Sequence, residues 1–431
     1  ARQCNSCDSP FAEVTSSGCR VLYDACPKSL RSGVWWPQTK FGMLASVPCP
    51  RGALGLRGAG VAVRLCDEDQ GWLEPDLFNC TSPAFRELNL LLDGLELNKT
   101  ALDTVEAKKL AQRLREVTGH TDHYFSQDVR VTARLLAHLL AFESHQQGFG
   151  LTATQDAHFN ENLLWAGSAL LAPETGDLWA ALGQRVPGGS PGSAGLVQHL
   201  EEYAATLARN MELTYLNPVG LVTPNIMLSI DRMEHPSPTR GTRRYPRYHS
   251  NLFRGQDAWD PHTHVLLPSQ SPRPSPPEAL STSSSSMENS TTSSAAPPPV
   301  PPEPEPEPGI SIVILLVYRT LGGLLPAQFQ AERRGARLPQ NPVMNSPVVS
   351  VAGFHRRNFL RGVLESPISL EFRLLQTANR SKAICVQWDP PGPAEQHGMW
   401  TARDCELVHR NGSHARCRCS RPGTFGVLMD A

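Results

Sequence analysis

Cysteine placement constrains this chain more than any other feature. The 431 residues include eleven cysteines, at positions 4, 7, 19, 26, 49, 66 and 80, then at 385, 405, 417 and 419. Residues 81 to 384 contain none. Small disulfide-stapled units should therefore flank larger units that hold together by apolar burial. Zinc is the competing reading, since Cys4-x-x-Cys7 and Cys417-x-Cys419 could be ligand pairs. Neither has a second pair at finger-like spacing, so disulfides are the expectation. At roughly 100–200 residues per domain, two to four units are expected.

The sequons agree with an oxidising, extracellular setting. Five Asn-x-Ser/Thr triplets occur, at Asn79, Asn98, Asn289, Asn379 and Asn411. Paired cysteines and several sequons together favour a secreted or surface chain. The 40 basic and 41 acidic residues nearly cancel, which gives no field for nucleic acid or an anionic surface. No leader starts the chain, and no apolar run approaches the ~20 residues needed to span a bilayer. The longest, Ile310 to Val317, reads as a buried strand. The expectation is a soluble piece of a longer chain, in which Cys4 has lost its partner. No calcium loop, metal centre or other cofactor is expected: no acidic stretch is dense enough. The scattered His120, His123, His138, His145 and His158 form no i, i+4 pair beside an acid, and read as surface or half-buried.

Four units follow from a pass along the chain. Residues 1–19, with Cys4-x2-Cys7-x11-Cys19, resemble the end of a laminin-type EGF repeat, which implies a Cys7–Cys19 bridge. Residues 20–82 carry Cys26, Trp35-Trp36-Pro37, Cys49-Pro50, Arg64-x-Cys66, Gly71-Trp72 and Cys80. So short a unit buries little apolar surface, and two bridges at ~2–4 kcal/mol each would compensate. The pattern resembles a hormone-receptor domain, a small disulfide-rich β unit, and the resemblance implies Cys26–Cys66 and Cys49–Cys80. The third bridge of secretin-type receptors has no cysteines here. Trp36 and Trp72 are expected to fill the core rather than meet a ligand.

Residues 83–220 read as an α-helical bundle. Leu88, Leu91, Leu92 and Leu95, then Leu102, Val105, Leu110, Leu114 and Val117, recur at helical steps. Val131, Leu135, Leu136, Leu139 and Leu140 repeat the pattern, and further helices are predicted near 160–171, 177–182 and 195–210. Asp122, Asp156 and Thr175 are candidate caps. Residues 221–431 read as a β unit, with strands predicted at 225–231, 264–268, 310–320, 347–354, 367–375 and 383–388. Within it, residues 268–308 are mostly Pro, Ser, Thr and Glu. Such composition cannot offset its ordering entropy, so a disordered, extended loop is expected there, with O-glycosylation a compositional guess.

The last fifty residues carry the most specific pattern: Cys385-x2-Trp388, Trp400, Cys405, Cys417-x-Cys419, then Thr424-Phe425-Gly426-Val427-Leu428-Met429. Two strand cysteines at i and i+2 have Cα atoms roughly 6.6 Å apart, too far for a comfortable mutual bridge, so each should staple a different neighbour. This stretch, 383–431, resembles the proteolysis-site motif of adhesion-type G-protein-coupled receptors. That motif ends a larger autoproteolysis-inducing (GAIN) domain, a helical subdomain followed by a β-sandwich, and the order here matches over 83–431. The resemblance implies the pairs Cys385–Cys417 and Cys405–Cys419.

In cleaving members of that family the segment after the last cysteine reads Asn-His-Leu-Thr or Ser. The hydroxyl attacks the preceding carbonyl while the histidine takes its proton. This chain reads Ser420-Arg421-Pro422-Gly423 there. Arg421 keeps its proton and cannot act as base, Pro422 replaces the leucine, and Gly423 has no hydroxyl. Thr424 stands one residue late, on the opposite face of a strand, with no base expected nearby. No enzymatic activity and an uncut chain are expected. The resemblance makes residues 424–429 the tethered agonist, resting as a buried strand. As a strand Phe425, Val427 and Met429 share a face, and as a helix Phe425, Leu428 and Met429 do.

A laminin-type EGF tail before a hormone-receptor unit and a GAIN domain resembles the flamingo-type receptors, the cadherin EGF LAG seven-pass family. That likeness implies cadherin and EGF/laminin repeats upstream and a seven-helix domain downstream as partners. It implies the outer face of the plasma membrane as location, and roles in cell adhesion, planar cell polarity and axon guidance. A shed adhesion or binding module without signalling is the alternative, and an apolar segment following Ala431 in the longer chain would argue against it.

Overall fold

The structure is a computed structural model that describes residues 7–145, 156–186, 192–210, 218–233, 242–247, 262–268, 311–326, 329–330, 338–355, 358–364, 366–392 and 398–431. Cys4, the sequon at Asn289 and the loop expected after Pro268 lie outside them.

The N-terminal units are short strands held by bridges. β1 (Ala12–Thr15) and β2 (Gly18–Val21) form a hairpin, which Cys7–Cys19 closes. β3 (Ala25–Cys26), β4 (Ser29–Arg31), β5 (Val34–Trp36) and β6 (Thr39–Lys40) nest as two ribbons, β3 with β6 and β4 with β5. β7 (Leu44–Pro48), β8 (Val61–Asp67) and β9 (Gly71–Trp72) make a three-stranded sheet. Cys26–Cys66 and Cys49–Cys80 join these pieces. Trp36 is fully buried and Trp72 half-buried. The Arg64 guanidinium lies against both rings, 5.9 and 4.9 Å from the two centroids, and its Nε donates to the Leu73 carbonyl at 2.6 Å. A cation against two rings with its N–H satisfied is how so small a core tolerates a buried charge.

Among the described residues six α-helices follow: α1 (Pro83–Glu96), α2 (Thr104–Gly119), α3 (Ser126–His145), α4 (Ala157–Leu170), α5 (Gly176–Arg185) and α6 (Gly192–Asn210). Asp103 caps α2 and Asp156 caps α4 through backbone N–H groups. Asp122 does not cap: α3 starts at Ser126, and the acid that serves there is Asp128, which accepts from the Phe125 N–H. Thr175 stands at the start of α5, but its hydroxyl donates backward to Leu170 and Ala172 carbonyls. Asp128 also accepts from the Thr81 hydroxyl (2.7 Å), the Ser82 N–H (2.9 Å) and the Ser82 hydroxyl (2.8 Å). This buried carboxylate seals the joint between the disulfide-rich unit and the bundle. Burial raises its pKa, and those donors offset only part of the rise.

The remaining strands are β10 (Val219–Val222), β11 (Ile226–Met233), β12 (Thr242–Tyr245), β13 (His264–Pro268), β14 (Ser311–Tyr318), β15 (Phe329–Gln330), β16 (Pro342–Met344), β17 (Val348–His355), β18 (Asn358–Phe359), β19 (Ile368–Arg373), β20 (Ser381–Asp389), β21 (Met399–Thr401), β22 (Cys405–Arg410), β23 (His414–Cys419) and β24 (Gly423–Asp430). The larger sheet runs β10-β11-β14-β17-β24-β20-β21-β15, with β16 on β24 and β18 on β17. The smaller runs β12-β13-β19-β23-β22. Period-two alternation divides the larger sheet's side chains. Ile312, Ile314 and Leu316 pack into the helices, while Leu315 and Val317 pack into the smaller sheet. The larger sheet is thus the middle of three layers.

Candidate functional site

β24 lies at the centre of that middle layer, which explains its sequence. A strand covered on both faces needs a nearly continuous apolar run rather than alternation. Phe425, Val427 and Met429 point into the sandwich, against a core that includes Leu370, Phe372 and Cys417. Leu428 points the other way, into the helical core. All four are fully buried and Thr424 nearly so. Backbone pairing occupies both edges. β17 holds the first half (Val349 opposite Phe425, Ser350 opposite Thr424), β16 the second (Met344 opposite Leu428), and β20 runs along the far side (Cys385 opposite Val427, Gln387 opposite Phe425). The Ser346 hydroxyl accepts from the Val427 N–H at 2.9 Å, and the Val427 carbonyl accepts from the Asn345 N–H at 2.9 Å. Gly426 makes room for the end of the Met344 side chain: a Cβ there would stand 2.6 Å from its sulfur, which would have to move.

Thr424 faces the helices, and there the structure corrects an expectation. An acceptor does sit beside it: its hydroxyl donates to Glu201 Oε1 of α6 at 2.8 Å. The Ser350 hydroxyl, from the paired position on β17, bonds the same carboxyl. Burial pushes the Glu201 pKa up, the two hydroxyls draw it down, and neighbouring Glu202 adds to the rise. The buried Tyr318 hydroxyl, pushed well above its ordinary range by burial and by Glu201, has no hydrogen-bond partner among the described residues. Glu201 carried a legible signal. Val197, Ala204 and Ala208 share its stripe at i−4, i+3 and i+7, and all three are buried. A carboxylate on an apolar helix stripe needs a partner, and the partner is 223 residues away.

The sign of its effect is fixed by the direction of the shift. A carboxyl with a raised folded pKa contributes stability that is fully present below its unfolded pKa and is lost as pH rises through the folded one. Glu201→Gln keeps an acceptor for Thr424 and removes the charge. The variant is expected to melt above wild type at pH 8, with the gap closing toward pH 4. Equal pH profiles for the two proteins would contradict this account.

The three degenerate positions lie just before and at the start of β24. Arg421 is half-exposed and pairs with Asp404 at 3.6 Å. The Pro422 carbonyl accepts from Gln387 Nε2 at 3.3 Å. Gly423 pairs with Val351. Two bridges hold this region: Cys385–Cys417 ties β20 of one sheet to β23 of the other, and Cys405–Cys419 joins β22 and β23 at a directly opposed pair. Asn79, Asn98, Asn379 and Asn411 are all exposed. Among the described residues no His/Cys/Asp/Glu group could hold a metal ion, and no helix is long and apolar enough to cross a membrane.

Comparison with known proteins resolves the family. Residues 23–83 match the hormone receptor domain family, residues 85–208 the family described as AGRL2-4 GAIN subdomain A, and residues 262–431 the GPS family, described as GAIN subdomain B. The whole chain aligns with the human cadherin EGF LAG seven-pass G-type receptor 3, with 92% identity over 430 residues. The chain belongs to the cadherin EGF LAG seven-pass receptor family. Human receptors 2 and 1 of this family are 43% and 40% identical over the full chain. The chain spans 13% of the length of receptor 3 and 14% of receptors 1 and 2. It is the extracellular hormone-receptor and GAIN region of an adhesion receptor of this family, and the motif-level resemblance is borne out at that level.

Proposed function

We propose that this region keeps β24 folded into the sandwich as a tethered agonist, in a chain that is never cut. The observation that carries this is the absence of chemistry at 421–423. Gly423 supplies no nucleophile, and the Arg421 side chain is a permanent cation engaged with Asp404. Thr424 has a carboxyl beside its hydroxyl, yet it lies on the helix-facing side of the strand, one bond beyond the family's cut. The relatives' names support a receptor with seven-pass and cadherin–EGF parts. In that receptor the seven-helix domain would be the partner of residues 424–429, the cadherin and EGF/laminin repeats would lie upstream, and adhesion, planar cell polarity and axon guidance would be the roles.

The test is a receptor that includes this region and its seven-helix domain, tagged at both ends and expressed in human cells. A single full-length species on a denaturing gel is expected, with no new N-terminus at Gly423 or Thr424 by mass spectrometry. Two fragments that divide at either residue would overturn the reading.

A further inference from the structure

We infer that Gln387 is a fourth determinant of the lost cut: its side chain fills the place of the missing nucleophile. The inference rests on the uncut reading and extends it to a residue outside the proteolysis triplet.

Register puts Gln387 there. It sits opposite Phe425 on β20, and positions 385, 387, 423, 425 and 427 share the sandwich-facing side of the sheet. From that place its side chain runs diagonally along β24 to Gly423. A Cβ built on Gly423 would overlap Gln387 Nε2 and stand 3.1 Å from its Cδ. The amide thus occupies the volume where a side chain at 423 would begin. Its Nε2 donates to the Pro422 carbonyl at 3.3 Å, and its Oε1 is buried with no partner among the described residues. A buried unsatisfied oxygen is costly to keep. Gln387 holds this position because Gly423 leaves the space open and the carbonyl at 422 offers the one bond.

The consequence concerns restoration. In Arg421→His, Pro422→Leu, Gly423→Thr, the new hydroxyl oxygen would bond to the carbonyl carbon of residue 422. Its proton would pass to the new imidazole and then to the leaving amide nitrogen. The resulting ester takes up one water to give a carboxyl at 422 and a free amine at 423. That attack needs the new side chain in its rotamer, and the Gln387 amide must first swing out of that space and give up its bond to the 422 carbonyl. The triple variant should therefore cleave poorly, and adding Gln387→Ala should raise its cleaved fraction about tenfold or more.

The experiment compares wild type, the triple variant and the quadruple variant in the same tagged receptor, scored by the cleaved fraction and the new N-terminus. A cut wild type would sink the uncut reading itself. With wild type intact, equal cleavage of triple and quadruple variants overturns the role of Gln387, as does a secreted quadruple variant that stays whole. A stability cycle needs no cleavage at all. Gly423→Ala alone should lower the melting temperature by a few degrees, and should cost little once Gln387→Ala is present. Additive shifts would also overturn the inference.

Discussion

Phe425→Ala is expected to lower the stability of the sandwich by about 3–5 kcal/mol, the range for truncating a fully buried aromatic ring. Phe425 has no exposed surface and sits where the two sheets face each other, with Val349 and Gln387 as its cross-strand neighbours. Paired backbone on both sides leaves little freedom for the strand to close over the void, so the cost should fall toward the upper end. Denaturant unfolding of the purified region would measure it as a lower midpoint at unchanged slope. A loss under 1 kcal/mol would mean that the ring is not held as described. The same residue is the first apolar position of the proposed agonist. Its contribution to resting stability therefore has to be measured before any loss of signalling is assigned to an agonist contact.

The second large effect is expected from Cys385→Ser with Cys417→Ser, at about 2–5 kcal/mol. This bridge joins the two sheets directly beneath Val427, which lies opposite Cys385. Cys405 and Cys419 already face each other on neighbouring strands and close a 14-residue separation, against 32 for Cys385–Cys417. Chain-entropy reasoning gives the longer loop the larger share, and only the longer one fixes one layer on another. Secreted yield and melting temperature of the two double-serine variants should rank accordingly, with the 385/417 pair the more damaged. The reverse ranking would show that the sheets hold together without the bridge.

What the sequence shows and what it hides divide along distance in the chain. Helical stripes such as Leu135, Leu136, Leu139 and Leu140, and the apolar run of β24, are local patterns, and each announces its element. Cap placement was less legible. Asp122 and Asp128 flank the same helix start, and only tertiary donors from Thr81 and Ser82 decide which acid is used. The site itself depends on pairings that no local pattern encodes. Thr424 meets Glu201 across 223 residues, and Gln387 reaches Pro422 from a strand 35 residues earlier. Glu201 at least interrupts an apolar stripe. Gln387 carries no such mark, because nothing in a polar residue at a strand position says which glycine lies diagonally across from it.

The place of β24 between antiparallel neighbours has a mechanical consequence. A pull along the strand axis loads the ladders to β17, β16 and β20 in shear, so their rungs must stretch together before any one breaks. A pull across the axis would peel them singly, but β24 is no edge strand, and such a load must first displace a neighbour. Exposure of residues 424–429 in an unbroken chain is therefore governed by the direction of tension as much as by its size.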